Sequence, residues 1–155
     1  MDHEYLEQVK KDLEKLLKDL YEKNMEGVPI VVEGDNDITA LKLLGFEGTL
    51  IRVNQGKPLF NVVEEWAKQY DEMIILTDWD RTGGRLARIL SEAFDANCLK
   101  YDLEFRKKLA QLTKKDIKDV QGLPKFMDNL EVKIASRTRD PAWDEKSPSK
   151  GDKRG

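Results

Sequence analysis

The chain has 155 residues, 37% of them charged and 39% apolar, with a net charge of −3. That length suits one compact domain with its own core rather than two, and the mild negative balance excludes a protein that gathers polyanions through its global field. No apolar run approaches the roughly 20 residues needed to cross a bilayer, and a single cysteine, Cys98, excludes an internal disulfide and any multi-cysteine zinc site.

The first residues mix acids and bases, which argues against a signal peptide and makes the cytoplasm the expected compartment. Tyr5, Leu6, Val9, Leu13, Leu16, Leu17 and Leu20 recur at three- and four-residue spacing, so residues 4–24 are predicted to form an amphipathic helix that stops near Gly27. Val28–Val32 is a short β-branched run expected of a strand covered on both faces, with Pro29 tolerated near its start. Asp37–Leu44 reads as a helix closed by Gly45, with Asp37 a natural N-cap. Thr49–Val53 is a second strand. Pro58–Tyr70 is a helix with proline in its first turn. Glu72–Thr77 is the third strand, Gly84–Phe94 a helix, and Asn97–Tyr101 a fourth strand in which Cys98 is expected to be buried. Residues 103–112 and 124–135 read as helices. From Ser136 the periodicity fails and Arg, Lys, Asp, Ser, Pro and Gly collect, the composition of a disordered tail in which Trp143 is the odd member.

Strands alternating with helices at this interval imply βαβ units, and so an α/β fold whose four-stranded sheet is mainly parallel, with right-handed crossovers. The organisation expected is an N-terminal helix (1–27) packed on a domain spanning 28–120, then a C-terminal helix (121–135) and the tail (136–155). Between Arg106 and Lys118 six cations (Arg106, Lys107, Lys108, Lys114, Lys115, Lys118) face one anion, Asp116. This stretch is either a solvated helical face or a patch that neutralises phosphates.

Ligands of open parallel sheets bind outside the carboxyl ends of the strands. Glu33, followed by Gly34, stands directly after the first strand, and Asp78 and Asp80 stand directly after the third. If those strands are neighbours, three carboxylates converge. In extended chain, residues two apart share a face at roughly 6.6 Å, so the aspartates suit one Mg²⁺ or a pair of metals about 3.5–4 Å apart. Trp79 alternates with them and is expected to pack beneath the site. Gly83 and Gly84 let backbone approach a ligand and open a helix whose N–H groups favour anions. His3, the only histidine, has no catalytic role in this reading.

The segments VVEGDNDITAL (Val31–Leu41) and IILTDWDRTGGRLA (Ile74–Ala87) resemble the Toprim domain of primases, topoisomerases, OLD-type nucleases, recombination mediators and a ribosomal RNA maturase. TDWDRTGGRLA and LTKKDIKDVQGL (Leu112–Leu123) are most similar to a group of small archaeal Toprim proteins. The resemblance covers about residues 28–120 and implies a Rossmann-like fold that carries Mg²⁺, or Mn²⁺ in its place. It also implies Glu33 as general acid/base and ligand, Asp78 bridging metals, and Asp80 taking a second ion. Cysteines for a primase zinc ribbon and a topoisomerase's tyrosine domain are both missing.

The function expected is therefore a metal-dependent nuclease acting on DNA or RNA phosphodiesters, within a larger nucleic-acid-processing complex or alone. Asn54, Gly56 and Lys57 after the second strand, and Arg81 and Arg85 after the third, are the phosphate contacts expected of it; an ordinary turn accounts equally well for the first three, and Arg85 with Arg88 also reads as a surface helix face. The alternative is a non-catalytic adaptor that binds nucleic acid through the basic stretch. ILTDWDRT also fits the nucleophile motif of haloacid-dehalogenase-like phosphatases. That fold requires further strands and a second acidic pair, for which the sequence after Thr82 has no place.

Overall fold

β-branched runs alternating with amphipathic stretches give ten elements in the computed structural model, which describes residues 3–138. In order they are α1 (His3–Met25), β1 (Ile30–Val32), α2 (Asp35–Leu43), β2 (Leu50–Arg52), α3 (Leu59–Gln69), β3 (Glu72–Ile75), α4 (Arg81–Ala96), β4 (Lys100–Asp102), α5 (Glu104–Thr113) and α6 (Leu123–Thr138). The four strands form one sheet in the order β2-β1-β3-β4, and every pairing is parallel.

The two-residue period of the strands divides the core into two layers. Ile30 and Val32 of β1 and Ile74 of β3, with Leu76 just beyond it, face Leu13, Leu16 and Leu20 of α1, Leu41 of α2, Leu109 of α5 and Leu123 of α6. Val31, Met73 and Ile75 face the other way, onto Val62, Val63 and Trp66 of α3 and Leu90 and Phe94 of α4. Each such side chain contributes roughly 1.5–3 kcal/mol on burial. Lys23, near the end of α1, bonds Glu72 at 2.9 Å and Asp102 at 2.7 Å, tying that helix to β3 and β4.

Helix α2 crosses on one face and α3 returns on the other, so the strand order reverses between β1 and β3. That is the switch point at which the carboxyl ends of two adjacent strands leave a crevice. The adjacency on which convergence of Glu33 with the aspartates depends is therefore present.

Several boundaries differ from the sequence expectation. Helix α4 begins at Arg81, earlier than Gly84, because Asp80 caps it. Strand β4 begins at Lys100 because Asn97 and Cys98 are used in turning off α4. Cys98 has a left-handed φ of 55° and is exposed, not buried in a strand. Helix α6 continues to Thr138, through residues 136–138 assigned to the tail. The rest of that tail, with Trp143, lies outside the described residues. Among the described residues no helix is long and apolar enough to cross a membrane.

Candidate metal and phosphate site

Glu33 and Asp78 meet directly. The backbone N–H of Asp78 donates to Glu33 Oε2 at 3.0 Å, joining the ends of β1 and β3 through a side chain rather than another sheet bond. Asp78 in turn accepts on Oδ1 from the N–H of Val120 at 3.0 Å. Asp80 is the N-cap of α4, its Oδ1 accepting from Gly83 N–H at 2.7 Å, so the positive end of that helix lies against the acids.

Gly83 is required by the protein's own backbone rather than by a ligand. A Cβ there would collide with the carbonyl of Asp78, and the Gly83 carbonyl accepts from the buried Thr77 hydroxyl at 2.8 Å. Gly84 has no such constraint, since a Cβ would make an ordinary 3.6 Å contact with Arg106. Trp79 turns away from the aspartates as expected, packs on the α1-side core, and donates from Nε1 to Ile117 O at 3.0 Å.

Three residues that the sequence did not assign to the site belong to its electrostatics. Asp37 is not the N-cap of α2. Gly34 holds that position, and Asp37 reaches back from the first turn to accept Gly34 N–H on Oδ2 at 3.1 Å, the return half of a capping box. Asp37 is only 3% exposed, and its Oδ1 has no hydrogen-bond partner. Asp119 adds charge from the turn before α6. Arg106, counted among the cations of a basic surface, instead points inward and donates to Thr77 O at 3.1 Å and Asp78 O at 2.8 Å. The available signal was weak: Asp37 and Asp119 sit in acidic, turn-rich stretches, but nothing periodic links them to the strand ends.

The crowding shows in the acidities. Burial pushes Asp78 up from 3.8 to about 7, with Asp37, Glu33 and Asp119 adding to it and the Val120 N–H opposing it. Glu33 is raised by burial and by Asp80 and Asp37, against the Asp78 N–H and Arg106. Asp37 is raised by burial and by Asp119, against the N–H groups of Gly34 and Glu33 and the Gln121 side chain. Even Arg106 is shifted down by burial, despite its acidic neighbours. Five carboxylates thus interact around one guanidinium.

These donors fit a hard divalent cation in chemistry: all are oxygens, their charge is largely uncompensated, and one buried oxygen lacks a donor. Among the described residues no three acid, histidine or cysteine side chains stand ready as a ligand group. Mg²⁺ keeps several waters and takes only one or two carboxylates directly, so a closed cage is not what it requires.

The four phosphate candidates are scattered. The Asn54 N–H donates to Glu33 O at 3.3 Å, which puts Asn54 at the neighbouring strand end. Lys57 pairs with Glu65 of α3 at 3.5 Å. Arg81 and Arg85 are exposed on α4, and among the described residues neither pairs with the carboxylates. The sheet of the described residues stops at four strands, which leaves the phosphatase alternative without its additional strands.

The family model for the Toprim domain matches residues 28–112. A UPF0292 protein of Methanosarcina barkeri is 42% identical over 121 residues, covering 78% of this chain and 84% of that protein. Another, from Methanocaldococcus jannaschii, is 32% identical over 126 residues, covering 81% and 94%. A solved structure of an Aquifex aeolicus protein superposes with a TM-score of 0.60 at 28% identity, covering 70% of this chain and 95% of that one.

Proposed function

This chain belongs to the Toprim domain family, and we propose that it is a divalent-metal-dependent nuclease whose reaction centre is the pair Glu33–Asp78 with Asp80 beside it. Family membership supports a role connected with nucleic acid. The observation that carries the finer reading is the bond from Asp78 N–H to Glu33 Oε2 at the switch point, in a setting where acids outnumber cations. Glu33, Asp78 and Asp80 would hold a Mg²⁺ or Mn²⁺, which would supply an acidified water and a charge to steady the leaving oxygen.

The protein's own groups do the rest. Glu33, its acidity already displaced toward neutrality by burial, is suited to hold and return a proton. Arg106 keeps the Thr77 and Asp78 carbonyls in place, and so fixes the angle at which the Asp78 side chain leaves its strand. Asn54, whose N–H bonds the Glu33 carbonyl, and the more scattered Lys57, Arg81 and Arg85 are the groups proposed to contact phosphates of a bound strand. The test is incubation of labelled DNA and RNA with Mg²⁺ or Mn²⁺. Cleavage that disappears in Glu33→Gln supports the nuclease. Binding that is indifferent to metal, with no cleavage, supports the adaptor.

A further inference from the structure

A second concave surface lies outside the carboxylate site. It is a groove of about 380 Å³ between the start of α1, the turn after α5 and α6, within the size range of small-ligand sites. Its floor is apolar, made of Leu6, Val9, Phe126 and Leu130, the cluster that packs α1 on α6. Tyr5, 47% exposed, stands on one wall. Lys114, Lys115, Lys125 and Lys133 line it as well, against the single acid Asp116.

The state of those lysines is informative. On the exposed face of α1 three lysines each pair with an acid one turn away: Lys10–Glu14, Lys15–Asp19 and Lys18–Glu22. Among the described residues the four lysines of the groove form no ion pair, and Asp128 and Glu131 of α6 do not line it. Unpaired cations over an apolar, aromatic-bearing floor match a ligand that combines anionic groups with flat apolar ones. Lys125 and Lys133 are eight residues apart, about 12 Å along the helix axis. A single phosphate cannot span that distance, but successive phosphates of a strand can.

The turn carrying Lys114 and Lys115 also leads to the carboxylates. The carbonyls of Ile117 and Lys118 accept from the side chain and backbone of Trp79 at 3.0 and 2.8 Å, and Val120 N–H is held by Asp78. Six residues span at most about 20 Å, so the groove and the crevice are neighbours along one connected stretch of chain.

We infer that the groove between α1 and α6 binds single-stranded nucleic acid, stacking a base on Tyr5 and Phe126 while the lysines follow the backbone. This rests on the nuclease reading for its purpose, but not for its test. The full-length protein is titrated in EDTA against fluorescein-labelled fifteen-nucleotide dT and rU oligomers, with anisotropy as the readout and salt as the variable. Lys125 and Lys133 are exposed, so the double variant Lys125→Glu/Lys133→Glu should melt like the parent.

The double variant should bind at least about tenfold more weakly, and the slope of log affinity against log salt should fall by about 1.4 for two lost phosphate contacts. Tyr5→Ala should weaken binding about tenfold through lost stacking. Parent-like affinity and slope in the double variant overturn the inference, as does a parent that binds neither oligomer. Displacement of the oligomer by an equally charged glutamate peptide at the same concentration also overturns it, assigning the groove to an acidic protein. Oligomer binding lost in the lysine variant, without any metal-dependent cleavage by the parent, would sink the nuclease proposal and leave the groove standing. Cleavage abolished by Glu33→Gln, with parent-like binding by the lysine variant, would do the reverse.

Discussion

Asp78→Asn should stabilise the metal-free protein at pH 8 by about 2 kcal/mol and at pH 5 by less than half as much, about 0.8 kcal/mol. Asp78 titrates at about 7 instead of 3.8, first because burial penalises its charge and then because Asp37, Glu33 and Asp119 repel it. That displacement corresponds to about 4 kcal/mol between the two protonation states, and since the carboxyl is only half-buried, screening reduces it to about 2 kcal/mol. The folded protein holds this proton more tightly than the unfolded chain. Stability therefore falls as pH rises from about 4 to about 7, and above that the whole penalty is present. Asparagine keeps the shape and an oxygen to accept from Val120 N–H, a bond of 3.0 Å in the parent, while removing the charge. Urea unfolding in EDTA at the two pH values measures the difference, which at pH 8 is about 4–8 °C in Tm for a chain of this size. An equal loss of stability at both pH values would refute the reasoning, because Asp78 would then be a structural anchor rather than a source of repulsion.

Other substitutions separate roles that overlap at the site. Gly83→Ala drives a methyl into the Asp78 carbonyl and should cost about 1–3 kcal/mol or more, whereas Gly84→Ala, one residue on in the same helix, should be neutral or stabilising by about 0.5–1 kcal/mol; thermal melts of the pair check the contrast. Asp80→Ala removes the cap of α4 and should cost about 0.5–2 kcal/mol, while Asp80→Asn should preserve stability in EDTA yet lose most of the Mg²⁺-induced rise in Tm, a result that assigns Asp80 both tasks.

The architecture was legible because burial leaves a periodic trace. Val28–Val32 and Glu72–Thr77 are apolar on both faces, and that is what placed them in the middle of a parallel sheet. The meeting of Glu33 with Asp78 followed from the strand-end rule once their strands were taken as neighbours. What escaped detection depends on contacts distant in sequence and lacking any period. Arg106 reads as one more cation in a basic run until α5 is placed over the end of β3, where the carbonyls of Thr77 and Asp78 capture it. Asp119 is an unremarkable turn residue until its loop folds back on Trp79 and Asp78. Cys98 reads as a strand residue because it adjoins Leu99 and Tyr101, and only the left-handed turn after α4 shows that it is exposed.

The most direct test is anomalous diffraction from crystals grown above pH 7 and soaked in Mn²⁺. A peak within bonding distance of both Glu33 and Asp78, absent from Asp78→Asn crystals treated the same way, is the predicted result. Full-occupancy manganese elsewhere on the protein, with this carboxylate pair still bare, would contradict it.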